Sequence, residues 1–138
     1  MTANTRRGAR GYVLPAPSAI GNAGENTLLS ETATELEHLG LRPKAVALDG
    51  AFGPQMSRQQ LAAVGPERVF VAGRDEPGSR RTRKRLARYR TGTEGRISHL
   101  KRGYGLRRSR LKGHHGQRIW TGWAILAYNL DTLAVHSA

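Results

Sequence analysis

Apolar residues recur at helical spacing over residues 26–39. Leu28, Leu29, Thr32, Leu36 and Leu39 line one side, and Gly40 follows as a stop. Glu31, Glu35 and Glu37 occupy other faces and are expected in solvent. The period then changes. Residues 44–48 form a short apolar run after Pro43, which predicts a buried strand ending at Asp49, with Gly50 and Gly53 behind it. Residues 54–64 read as a second helix, with Pro54 in its first turn and Gly65 beyond its end. "ERVFVAG" predicts a second strand. Strand, helix and strand joined by short turns imply a parallel βαβ unit, right-handed by default.

After a loop at residues 73–79, the pattern predicts a long helix over 80–102, with Leu86, Tyr89, Thr93, Ile97 and Leu100 near one stripe. Gly92 and Gly95 weaken it by about 1 kcal/mol each relative to Ala, so a kink is expected near Glu94. Residues 103–116 hold four glycines among Arg, Lys and His and read as a loop. Residues 117–134 predict the most apolar helix. Ile119, Trp120, Trp123, Leu126, Leu130 and Leu133 form its expected core stripe, the tryptophans serving as core rather than as base-stacking platforms. Residues 1–23 mix Arg, Gly, Pro and Asn and are expected to be poorly structured or unrelated to the rest, apart from a possible broken strand at 12–14. The expected organisation is this segment followed by one α/β domain over residues 24–138.

Charge sharpens the picture. The chain of 138 residues carries a formal net charge of +13. Residues 1–78 hold eight Lys/Arg against eight Asp/Glu, whereas residues 79–138 hold fifteen against two. A balanced half followed by a polycation is the footprint of a nucleic-acid binder. An anionic membrane surface is the rival partner, but the basic stretches lack a strong apolar face beside them, and no run approaches the roughly 20 apolar residues of a span. There is no cysteine, which excludes disulfides and thiolate metal sites and fits a reducing compartment. The N-terminus has no apolar core of signal-peptide length. The expected location is the cytoplasm, in association with the nucleoid.

The expected contacts to the phosphates of double-stranded DNA are Arg80, Arg81, Arg83, Lys84, Arg85, Arg88, Arg90, Arg96, Lys101, Arg102, Arg107, Arg108, Arg110 and Lys112. Seven like charges crowded into residues 80–90 repel one another unless a polyanion neutralises them. His114 and His115 are adjacent, point apart on any helix or strand, and read as solvent or phosphate contacts rather than a metal pair.

Two carboxylates stand out. Asp49 ends a parallel strand, where ligands of open α/β sheets bind; it also suits a plain Asp-Gly turn. Glu94 is the one acid among residues 78–130. Helical spacing puts it on one face with Arg90, Ile97 and Lys101. It suits either an exposed ion pair worth about 0.3–0.5 kcal/mol or a metal ligand kept ionised by its cationic neighbours.

Together these residues resemble the C-terminal half of a DDE transposase of bacterial insertion sequences, which has an RNase H-like catalytic domain. In that family the second acid ends a strand and is followed by a small residue and an aromatic. "VALDGAF" is similar, with Asp49, Gly50 and Phe52. The third acid lies on a helix within a Tyr-x2-Arg-x3-Glu-x6-Lys signature. Arg90, Glu94 and Lys101 keep that spacing, while Ala87 stands at the Tyr position and Tyr89 is out of register. "EGRISHLKR", followed by a Gly/Arg loop and a Trp-rich helix, resembles one subgroup. The resemblance covers roughly residues 24–134.

It implies a partial RNase H-like α/β fold and Mg²⁺-dependent DNA strand cleavage and transfer, in which three carboxylates hold two Mg²⁺ ions. Asp49 and Glu94 are the implied catalytic and Mg²⁺-binding residues. The first acid of the family belongs to an earlier strand. The acids before Asp49 are Glu25, Glu31, Glu35 and Glu37, all in or beside the first predicted helix. The expectation is therefore a truncated transposase that binds DNA, pairs with itself or with an intact transposase, and does not cut alone. The alternative is a small basic nucleic-acid-binding or regulatory protein without an active site.

Overall fold

A computed structural model describes residues 2–3, 11–14, 25–74 and 78–137. Its elements run β1 (Thr2–Ala3), β2 (Tyr12–Val13), α1 (Glu25–His38), β3 (Ala45–Leu48), α2 (Pro54–Gln60), β4 (Arg68–Val71), α3 (Arg80–Gly103) and α4 (Gly113–Ser137). The class is α/β and helix-rich. Two compact units divide the chain, residues 17–92 and residues 1–16 with 93–138. The helical backbone of α3 is unbroken through Gly92 and Gly95. Among the described residues, no helix is long and apolar enough to cross a membrane.

In the unit of residues 17–92, β3 and β4 pair in parallel, with Val46 opposite Val69 and Leu48 opposite Val71. All four are buried, and burying such side chains stabilises by about 1.5–3 kcal/mol each. The connecting helix packs on α1 and on β4, so the expected βαβ unit forms. From α1, Leu29, Thr32, Ala33 and Leu36 are buried, while Leu39 is exposed. Gly40 takes φ 66°, a left-handed stop that favours glycine. The second helix is shorter than its pattern. Pro54 opens it behind Gly53, but beyond Gln60 the chain tightens. Leu61 carbonyl accepts from both Val64 N–H (3.1 Å) and Gly65 N–H (3.0 Å). Leu61 and Val64 stay buried because the tightened turn still points them inward.

In the unit of residues 1–16 with 93–138, β1 pairs antiparallel with β2. Val13 packs with Leu100, Ile125 and Tyr128, and Tyr104 and Leu106 lie against this cluster. Residues 11–14, within a segment that composition marks as unstructured, are held by α4. Asn129 Oδ1 accepts from Val13 N–H (2.9 Å), and Asn129 Nδ2 donates to Val13 carbonyl (2.7 Å). Tyr128 hydroxyl donates to Gly11 carbonyl (3.1 Å).

The expected core stripe of the last helix is overturned. Gly116, Ala124, Ile125, Tyr128 and Thr132 are buried. Ile119, Trp123, Leu126, Leu130 and Leu133 are exposed, Trp123 by 66%. Trp120 is half-buried. The helix is apolar on most sides, so its period offers two faces. The hydrogen bonds that Asn129 and Tyr128 make to the N-terminal strand select the narrower one.

Candidate functional site

Asp49 stands immediately after β3, at the carboxyl end of a parallel strand. The last ladder bond falls just before it, with Ala72 N–H, one residue beyond β4, donating to Leu48 carbonyl (3.2 Å). The Asp49 carboxylate turns back on its own loop, Oδ1 accepting from Gly50 N–H (2.6 Å). Its backbone carbonyl accepts from Phe52 N–H (3.2 Å). A Cβ at residue 50 would sit 2.8 Å from the Ala72 carbonyl oxygen. The small residue after the acid is therefore dictated by the neighbouring strand. Arg90 Nη1 lies 3.7 Å from Asp49 Oδ1, with the carboxylate side chain 70% exposed. Such a pair contributes about 0–1 kcal/mol, so it orients the acid more than it stabilises the fold.

α3 begins at a Ser79 cap. Ser79 Oγ accepts from Thr82 N–H (3.2 Å), and its carbonyl accepts from Arg83 N–H (3.1 Å). No acid stands in the first turn, which carries Arg80, Arg81 and Arg83 instead. Cations at the positive end of a helix dipole destabilise by about 0.3–1 kcal/mol each at low salt. That is a local conflict which a bound anion would relieve. Leu86 and Leu100 are buried. Arg80, Arg81, Arg83, Lys84, Arg85 and Arg88 are exposed, and Arg90 and Arg96 are half-buried. At 3.6 residues per turn, Arg80, Lys84 and Arg88 form a cationic stripe opposite Leu86.

Glu94, Lys101 and Arg102 are exposed on the later turns of α3. The loop over residues 104–112 presents Arg107, Arg108, Arg110 and Lys112, all exposed. It is a built loop. Tyr104 hydroxyl donates to Asp131 Oδ2 (2.6 Å), and Trp120 Nε1 donates to Gly105 carbonyl (2.8 Å). Ser109 Oγ accepts from Leu111 N–H (3.1 Å) and donates to Leu111 carbonyl (2.9 Å). A Cβ at residue 116 would sit 2.8 Å from Leu111 Cβ, so glycine there lets the loop fold back on the first turn of α4. Sequence reasoning missed Tyr104, Trp120 and Asp131 as supports of this loop. Trp120 and Gly105 are 15 positions apart, and no local pattern signals such a bond.

The acids weighed as substitutes for the family's first carboxylate, Glu25, Glu31, Glu35 and Glu37, all lie on α1, and the last three are exposed. His114 and His115 open α4, half-buried and exposed respectively. Among the described residues, no three His, Asp or Glu side chains cluster as a metal site. No protein-family model, curated protein or solved structure matches the chain.

Proposed function

We propose that this chain binds double-stranded DNA through the phosphate backbone, as a segment of the DDE transposase type that does not cut DNA by itself. The carrying observation is the exposed cationic face of α3, whose first turn sets three arginines on the positive end of the helix dipole. The loop over residues 104–112, held by Tyr104 and Trp120, adds four exposed cations. Phosphates are the partner that offsets both the dipole conflict and the mutual repulsion.

Support for the transposase descent is narrower. Asp49 ends a parallel strand, Gly50 is required beside it, and Arg90 of the Arg-x3-Glu spacing meets it at 3.7 Å. Carboxylate oxygens suit Mg²⁺, and the resemblance assigns that role to Asp49, after β3, and to Glu94, on α3. A bound ion would polarise a phosphate oxygen and lower the pKa of a bound water. The donor set is short, however. Two carboxylates stand where the family uses three, and a guanidinium already occupies one side of Asp49. The reading is therefore a DNA-holding protein. A non-catalytic regulator is the second reading, favoured by the plain turn role that Asp49 plays through Gly50 and Phe52.

The test is to incubate the chain with duplex DNA and Mg²⁺ or Mn²⁺, following binding, cleavage and metal uptake together. The expected result is binding without cleavage, with weak Mn²⁺ uptake by the complex that is lost in both Asp49→Asn and Glu94→Gln. Cleavage abolished by both substitutions would overturn the inactivity. Metal uptake indifferent to both would leave the regulator.

A further inference from the structure

The apolar residues that α4 leaves in solvent are not scattered. Ile119, Trp123, Leu126, Leu130 and Leu133 are 41–66% exposed and follow one another at intervals of four, three, four and three. That is the 3.5-residue repeat which keeps an apolar seam facing a partner helix. The buried side chains Ala124, Ile125, Tyr128 and Thr132 occupy the opposite side, so the helix presents one seam inward and one outward.

We infer that the outward seam of α4 pairs antiparallel with the same seam of a second copy of this chain. Charge identifies the partner and its direction. A chain of net charge +13 repels its own copies, yet over residues 119–137 Asp131 is the only Lys, Arg, Asp or Glu. This is the face through which two copies can meet without bringing cations together. A parallel pair would set the two cationic loops side by side at the start of α4. An antiparallel pair separates them by the length of a 25-residue helix, about 37 Å, far beyond a Debye length of about 8 Å. The spacing also closes on a two-fold axis midway between Leu126 and Leu130, with Leu126 facing the partner's Leu130 and Trp123 facing the partner's Leu133. The seam is about 21 Å long and about 10 Å wide. That is below the roughly 800 Å² per partner of a standard interface, so the dimer forms reversibly. This inference does not rest on DNA binding.

Sedimentation of the full chain across a concentration series, free of nucleic acid and at high salt, gives the first test. The expected result is a dimer that dissociates on dilution, and a Leu130→Glu variant that stays monomeric with an unchanged circular dichroism spectrum. The chain has no cysteine, so single-cysteine variants report direction. Leu126→Cys should cross-link when mixed with Leu130→Cys, and Trp123→Cys when mixed with Leu133→Cys. A chain monomeric at every concentration would overturn the proposal and leave the seam to a different partner. Self-cross-linking of Ile119→Cys would overturn the antiparallel direction. A dimer indifferent to Leu130→Glu would move the interface elsewhere.

Discussion

Replacing Arg80, Arg81, Arg83, Lys84 and Arg85 with Gln separates the electrostatic reading from a structural one, because the two predict opposite changes in stability. All five side chains are exposed, so none is needed for packing. If about six of the fifteen cations in residues 80–118 engage phosphates, log K falls against log salt with a slope of about −5. One duplex faces roughly half the circumference of α3, so three or four of the five contact it, at about 0.9 in slope each. The variant's slope should be about −2. Between 50 and 200 mM salt the parent loses roughly a thousandfold in affinity and the variant only about tenfold to twentyfold. The same substitutions remove three cations from the first turn of α3, which should stabilise that end by about 1–3 kcal/mol at low salt. The assay is fluorescence anisotropy with a labelled duplex over a salt series, with thermal unfolding of both proteins alongside. The expected outcome is a flatter slope and a higher Tm. A parent slope near zero, or weaker binding accompanied by a lower Tm, would refute the argument.

Other outcomes follow from the packing. Gly50→Ala forces a methyl to within 2.8 Å of the Ala72 carbonyl oxygen and should cost about 1–3 kcal/mol in chemical denaturation. Leu100→Ala, at a buried side chain, should cost about 2–5 kcal/mol, whereas Trp123→Ala should change folding of the dilute monomer by no more than about 0.5 kcal/mol. Equal losses would show that the seam on α4 is core after all. Asn129→Ala removes both hydrogen bonds to Val13, and should cost about 1–3 kcal/mol and abolish the hydrogen-exchange protection of the Val13 amide; retained protection would show that the strand pair holds itself.

What the sequence determined by itself is local. The change of period at residues 44–48, Pro54 at a helix start and Gly40 at a helix end mark elements whose signals lie within a few residues of one another, and β3, α2, β4 and α1 form where these signals point. The charge asymmetry is equally legible, since fifteen cations in forty residues need no fold to be counted. The strand-end position of Asp49 follows from the same short-range pattern, and the structure adds why Gly50 must follow it.

The tertiary structure decided whatever depends on distant partners. A helix apolar on most sides carries two possible core faces, and periodicity alone chose the one with Trp123 and the leucines. The buried face is set by Asn129 and Tyr128, which bond residues 11–14 across 116 or 117 positions. The loop over residues 104–112, read from composition as merely cationic, is held by Trp120, Asp131 and Gly116. Hydrogen bonding and close packing between segments far apart in the chain leave no periodic trace, because each partner's local pattern is satisfied equally well without the other.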